Sequence, residues 1–194
     1  MNKATRTRFK LEEAKLFLAH LEEHWRHLPQ VEFYLSAFVS AARSVTWVMK
    51  YEYGRKAGWH AWFDAKKPSN QVRELLRKMN DVRVRSTKSE PVRTRTTARV
   101  TIPPEQVTPE VERLLRPGTD AKVHLEPTDS SNTEAYVVVD GRVLAKAKLE
   151  HAEHEIPEFE GRDAKDVCAE YLHELEALVT ECEAKFGPYA LRDR

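Results

Sequence analysis

The sequence has few of the residues that build covalently braced or metal-braced folds: 2 cysteines and 6 glycines among 194 residues. Two cysteines cannot form a disulfide framework. Cys168 and Cys182 also fall within one predicted helix, where their separation spans about 21 Å, beyond disulfide reach. They are expected as reduced core thiols of a cytoplasmic protein. There is no Gly-rich phosphate loop, no Cys-x2-Cys pair and no Gly-x-Ser-x-Gly, so nucleotide hydrolysis, zinc-finger and serine-hydrolase chemistries have no support. No cofactor is implied. No stretch of about 18 apolar residues occurs, and no apolar signal-peptide centre follows the basic segment 1–10. Neither membrane spanning nor secretion is predicted.

Net charge is scarce on first count, at +1. That sum hides two opposite halves, because residues 1–99 hold 21 Lys+Arg against 10 Asp+Glu and residues 100–194 hold 11 against 21. The densest run, 73–99, contains Arg73, Arg77, Lys78, Arg83, Arg85, Lys88, Arg93, Arg95 and Arg99 against Glu74, Asp81 and Glu90. Such a run either faces a polyanion such as nucleic acid or answers the acidic half of its own chain. With 41% hydrophobic and 32% charged residues, the chain is sized for one substantial core.

Periodicity supplies the elements. Over 9–28, Leu11, Ala14, Leu18, Leu21, Trp25 and Leu28 recur at steps of three and four with Glu12, Glu13, Glu22 and Glu23 off the stripe, which predicts an amphipathic helix. Pro29 suits the first turn of a second helix, 30–53, the most apolar piece of the chain and the expected central, mostly buried one. Its small residues Ser36, Ala37, Ser40, Ala41 and Ser44 would let another helix backbone approach closely. Gly54 and Gly58 interrupt the chain around Trp59, Trp62 and Phe63. A further helix is predicted over 70–84, with Val72, Leu75, Leu76, Met79 and Val82 on its face.

The texture then turns to alternation. Residues 92–102 read as an edge strand ending at Pro103-Pro104, and Thr108-Pro109-Glu110 opens a short helix that stops at Pro117-Gly118. Val123 and Leu125 mark a brief strand. The run 136–139, then Asp140-Gly141, then 142–150 predicts a hairpin with a type I′ turn. Asp163 is a good N-cap for a last helix that ends at Gly187-Pro188. The fold class is α+β: a bundle of about four long helices with a small antiparallel sheet inserted before the C-terminal one. Segments 1–91, 92–160 and 161–194 are read as bundle, β-rich insert and completing helix of a single structural domain.

The string Phe33-Tyr34-Leu35-Ser36-Ala37-Phe38-Val39-Ser40-Ala41-Ala42-Arg43-Ser44-Val45-Thr46 resembles the second helix of some bacterial HEPN-type proteins. The resemblance also takes in the region near 83–92 and, more loosely, the final helix. It implies a dimerising helical bundle, and for many members metal-independent endoribonuclease activity. That activity rests on an Arg, four to six intervening residues and a His. Metal-free RNA cleavage needs a base of near-neutral pKa on the 2′-hydroxyl and a fixed cation on the scissile phosphate.

At the corresponding place this chain reads Arg83-Val84-Arg85-Ser86-Thr87-Lys88, with Lys88 where the resemblance calls for His. An ordinary lysine, of pKa near 10.4, is a poor base at neutral pH. Phosphate-holding cations remain in Arg83, Arg85, Lys88, Arg93 and Arg95. A second string, Arg55-Lys56-Ala57-Gly58-Trp59-His60, has the bare spacing but lies earlier and contains a glycine. Arg55 and His60 are the candidate catalytic pair, set against a loop histidine beside Trp59 and Trp62.

Other clusters read as structure. The basic strand is equally well a solvated edge guarded by arginine, or one that pairs with Glu153, Glu155, Glu158 and Glu160. His151 and His154 are expected on a surface segment, and His20, His24 and His27 on a polar helix face, with no metal site at either. Ser36, Ser40 and Ser44 are packing residues with back-bonded hydroxyls. The functional expectation is a catalytically degenerate HEPN-like protein, acting by homodimerisation and by binding RNA or a protein partner through the basic patch. The alternatives are an active endoribonuclease and a structural protein with internally compensated charge.

Overall fold

Thr5 and the residues after it show how this chain starts a helix. The Thr5 hydroxyl accepts from the Arg8 N–H at 2.9 Å and caps α1 (Arg6–Glu23). The structure, a computed structural model, describes residues 5–27, 30–66, 68–88, 92–114, 116, 122–127, 133–139 and 142–187. Helix α2 (Gln30–Tyr53) returns antiparallel beside α1, and Gly58, at φ +76°, turns the chain into the short α3 (Trp59–Ala65). Helix α4 (Asn70–Lys88) follows, then β1 (Arg95–Thr101), α5 (Pro109–Leu114), β2 (Lys122–Pro127), β3 (Thr133–Val139), β4 (Arg142–Glu155) and α6 (Ala164–Phe186).

The architecture is α+β and mainly helical, as the sequence implies. The sheet is antiparallel with strand order β1-β4-β3-β2, and it precedes the C-terminal helix α6. Helix α6 packs on α1, α2 and α4, closing a core of Leu11, Leu21, Leu35, Phe38, Met49, Leu175 and their neighbours. A smaller apolar cluster, Val111 with Val137 and Ala145, joins α5 to the sheet. Cys168 and Cys182 are buried and free on α6.

Several boundaries move for tertiary reasons. Helix α1 ends at Glu23 and not at 28, because His24 leaves helical geometry at φ −99°, ψ 20°. Trp25 still reaches the core from the turn: its indole N–H donates to the Ala152 carbonyl at 2.9 Å. Helix α4 runs one turn past the predicted 84, with the Ser86 and Thr87 hydroxyls bonding back to the Arg83 carbonyl. Strand β4 continues past 150 to Glu155, so His154, expected at the surface, is buried beneath it. His27, expected on a polar helix face, is buried in the turn after α1. Asp140-Gly141, Pro117-Gly118, Pro29 and Pro188 lie outside the described residues.

Helix α2 is central on one side only. Val31, Leu35, Phe38, Val45 and Met49 are buried, whereas Phe33, Trp47 and Tyr51 on the opposite side are exposed. Between them Ala37, Ser40 and Ser44 are partly exposed.

Candidate functional site

The basic run divides when folded. Arg85, in the last turn of α4, meets Glu158 of the turn at 157–159 through two contacts, 2.7 and 2.9 Å, a bidentate pair drawn in by that turn packing on α4. Arg83 is half-buried, with Nε shut from solvent and without a hydrogen-bond partner among the described residues. Its charge is near Tyr171 on α6, whose phenol burial pushes up to about 12. Neither side chain projects freely outward.

Lys88 and Arg93 are exposed where α4 gives way to β1. Along β1 the exposure alternates, which puts Arg95, Thr97, Arg99 and Thr101 on the solvent face of the sheet. Arg99 shares that face with Arg95, and the register shift comes after it, between Arg99 and Val100. Arg95 pairs with Glu155 at 3.3 Å, as the internally compensated reading expects. Lys88, Arg93 and Arg99 have no carboxylate partner among the described residues. The Glu32 carboxylate accepts from the Thr94 backbone N–H at 3.1 Å and fixes the approach to β1 against α2.

The same face extends across β4, where sequence reasoning did not follow it. Arg99 is opposite His151, and Thr101 is opposite Lys148. Lys146 is next outward along β4, opposite Tyr136, and its ammonium lies 5.7 Å from the ring centre. The alternation of 145–149, buried at Ala145, Ala147 and Leu149, is the signal that could have placed both lysines with Arg99.

Arg55 and His60 are both exposed, Arg55 in the turn after α2 and His60 on the first turn of α3. The structure gives them no mutual hydrogen bond, and the His60 ring is edge-on to Trp59 at 5.1 Å. The groove between α4 and the 157–160 turn, lined by Glu74, Leu75, Lys78, Glu158, Phe159 and Arg162, holds no histidine or thiol.

Two buried polar groups carry structural connections that periodicity does not show. His154 donates from Nε2 to the Trp25 carbonyl at 2.7 Å, and its Nδ1 is 2.9 Å from the Thr96 hydroxyl. Burial holds its pKa below the ordinary histidine value. Glu52 reaches from α2 to the start of α1. The ligand atoms of His20, Glu23 and His24 lie within 4.8 Å of one another, the one such group among the described residues. Their Nδ1 atoms are engaged, His20 with Glu23 at 3.2 Å and His24 with the His20 carbonyl at 2.9 Å, and both rings rest against Tyr34. Ser44 bonds back to the Ser40 carbonyl at 2.8 Å, as a packing serine does.

Among the described residues, no helix is long and apolar enough to cross a membrane. Compared with family models, curated proteins and solved structures, the chain matches none.

Proposed function

We propose that this chain is a HEPN-like protein without the catalytic pair, which works as a homodimer that binds single-stranded RNA. The contact surface is the outward cationic strip Lys88, Arg93, Arg95 and Arg99, continued by Lys148 and Lys146 beside Tyr136. One observation carries the reading: Lys88 and Arg93, between α4 and β1, and Arg99, on a sheet face that also offers an aromatic ring, stand exposed without a carboxylate partner among the described residues. Cations along a strand neutralise successive phosphates, and an aromatic ring stacks on an unpaired base. That no hydrogen bond joins Arg55 to His60, and that lysine occupies position 88, support binding without cleavage.

The test is a titration of labelled single-stranded RNA across salt concentrations in EDTA. Affinity should fall steeply with salt, and Arg93→Ala or Arg99→Ala should each reduce the logarithmic salt slope by about 1. A flat salt response, or retention of a basic or acidic protein in place of RNA, overturns the RNA reading. Cleavage that disappears in His60→Ala overturns the non-catalytic one.

A further inference from the structure

We infer that two copies of this chain join through the outer face of α2, packed antiparallel about a two-fold axis beside Ser40. The inference rests on the homodimer half of the reading above and gives it a surface.

Positions 33, 37, 40, 44, 47 and 51 follow one another at steps of four and three, so they form a single seam down α2 on the side away from the core. Phe33, Trp47 and Tyr51 on that seam are 63%, 62% and 77% exposed. Three large aromatic side chains left exposed along one side of a helix whose other side is buried mark an association surface. Beside it α1 adds Phe9 and Leu16, 65% and 54% exposed. Trp47 lies under the Arg43 guanidinium at 5.5 Å and Tyr51 under that of Arg6 at 6.0 Å. Aromatic rings with arginine are the residue types that dominate interface energies.

The pattern selects the occupant. Outward from Ser40, the seam reads Ala37 then Phe33 in one direction and Ser44 then Trp47 in the other. In an antiparallel pair Phe33 of one copy meets Trp47 of the other, twice, while the small centre lets the two backbones come close. That is the self-complementarity an isologous two-fold contact requires. Charge agrees. The end of the α1–α2 hairpin near Phe33 presents exposed Glu22 and Glu23 against the single Arg26, and the end near Tyr51 presents exposed Arg6, Lys50 and Arg55. An antiparallel arrangement sets acidic end against basic end, and a parallel one sets like against like.

Sedimentation and light scattering on the full chain provide the test, with circular dichroism to verify folding. The wild type is expected as a dimer. Ser40→Glu, which places two carboxylates at the axis, should raise the dissociation constant at least tenfold, and Trp47→Glu should do the same. Ser40→Cys should be joined to its twin by a short bifunctional maleimide, since Cys168 and Cys182 are buried. A dimer that survives Ser40→Glu and Trp47→Glu and fails to cross-link at Ser40→Cys overturns this interface while leaving the homodimer reading intact. A monomeric wild type overturns both. RNA binding by the Ser40→Glu monomer, with an unchanged salt slope, shows that the cationic strip stands apart from this surface.

Discussion

The Glu52 carboxylate, in the last turn of α2, accepts from the Thr7 backbone N–H at 2.8 Å and from the Thr7 hydroxyl at 2.7 Å. It also accepts from the Arg6 N–H at 3.1 Å. A negative charge thus lies where the first turn of α1 leaves its N–H groups unpaired and its dipole positive. Glu52 is 6% exposed, so water cannot replace it. Glu52→Ala should cost about 2 kcal/mol in urea unfolding, because three donors lose an ionised acceptor at once. An unchanged midpoint would show that α1 does not depend on this capping.

His154 makes stability sensitive to mild acid. Its Nε2–H donates to a carbonyl and its Nδ1 accepts from Thr96, an arrangement suited to the neutral ring. Asp163, Lys165 and Glu32 are the charged groups around it, and burial outweighs them in lowering its pKa. The unfolded chain therefore binds a proton that the folded chain resists, and stability falls as pH drops below about 6.5, by at most about 1.4 kcal/mol per pH unit. Asp163, raised by burial, works in the opposite direction nearer its own lower range. Thermal melts from pH 7 to 5 should show a smaller decline in His154→Gln than in the wild type. Equal declines would remove His154 from the account.

Arg83 is half-buried, and one of its donors is enclosed. Its Nε is enclosed and unbonded among the described residues, so replacing the side chain by an apolar one of similar length removes a buried unsatisfied donor. Arg83→Met should leave the melting temperature unchanged or higher and leave RNA affinity unchanged. A marked loss in either measurement would mean that its charge is needed after all.

The two thiols should be slow to react. Burial raises both, Cys182 to about 11, and a thiolate is the reactive form. A thiol reagent should label neither in the folded protein and both in denaturant. Rapid labelling under native conditions would reveal an opening of α6.

Much of this fold can be read along the chain, because the elements whose burial is periodic declare themselves. Helix α2 falls on the predicted 30–53, Asp163 caps α6 through a bond to the Lys165 N–H at 2.9 Å, and Thr108 precedes α5 as a capping residue does. What escapes is set by distant partners. The end of α1 depends on where Trp25 finds an acceptor 127 positions away, and the length of β4 on the pairing of Glu155 with Arg95. The candidate site divides the same way. Alternation aligns Arg93, Arg95 and Arg99, but only the fold shows that Glu158 neutralises Arg85 and that Arg83 turns inward near Tyr171.

The bond from the Trp25 indole to Ala152 makes the β-rich segment something other than an appendage. Excising 92–160 would keep every long helix, yet strip the indole of its acceptor and delete Ile156 and Phe159 from the main core. Such a shortened chain should emerge as a loose, aggregation-prone collapse and not a miniature bundle.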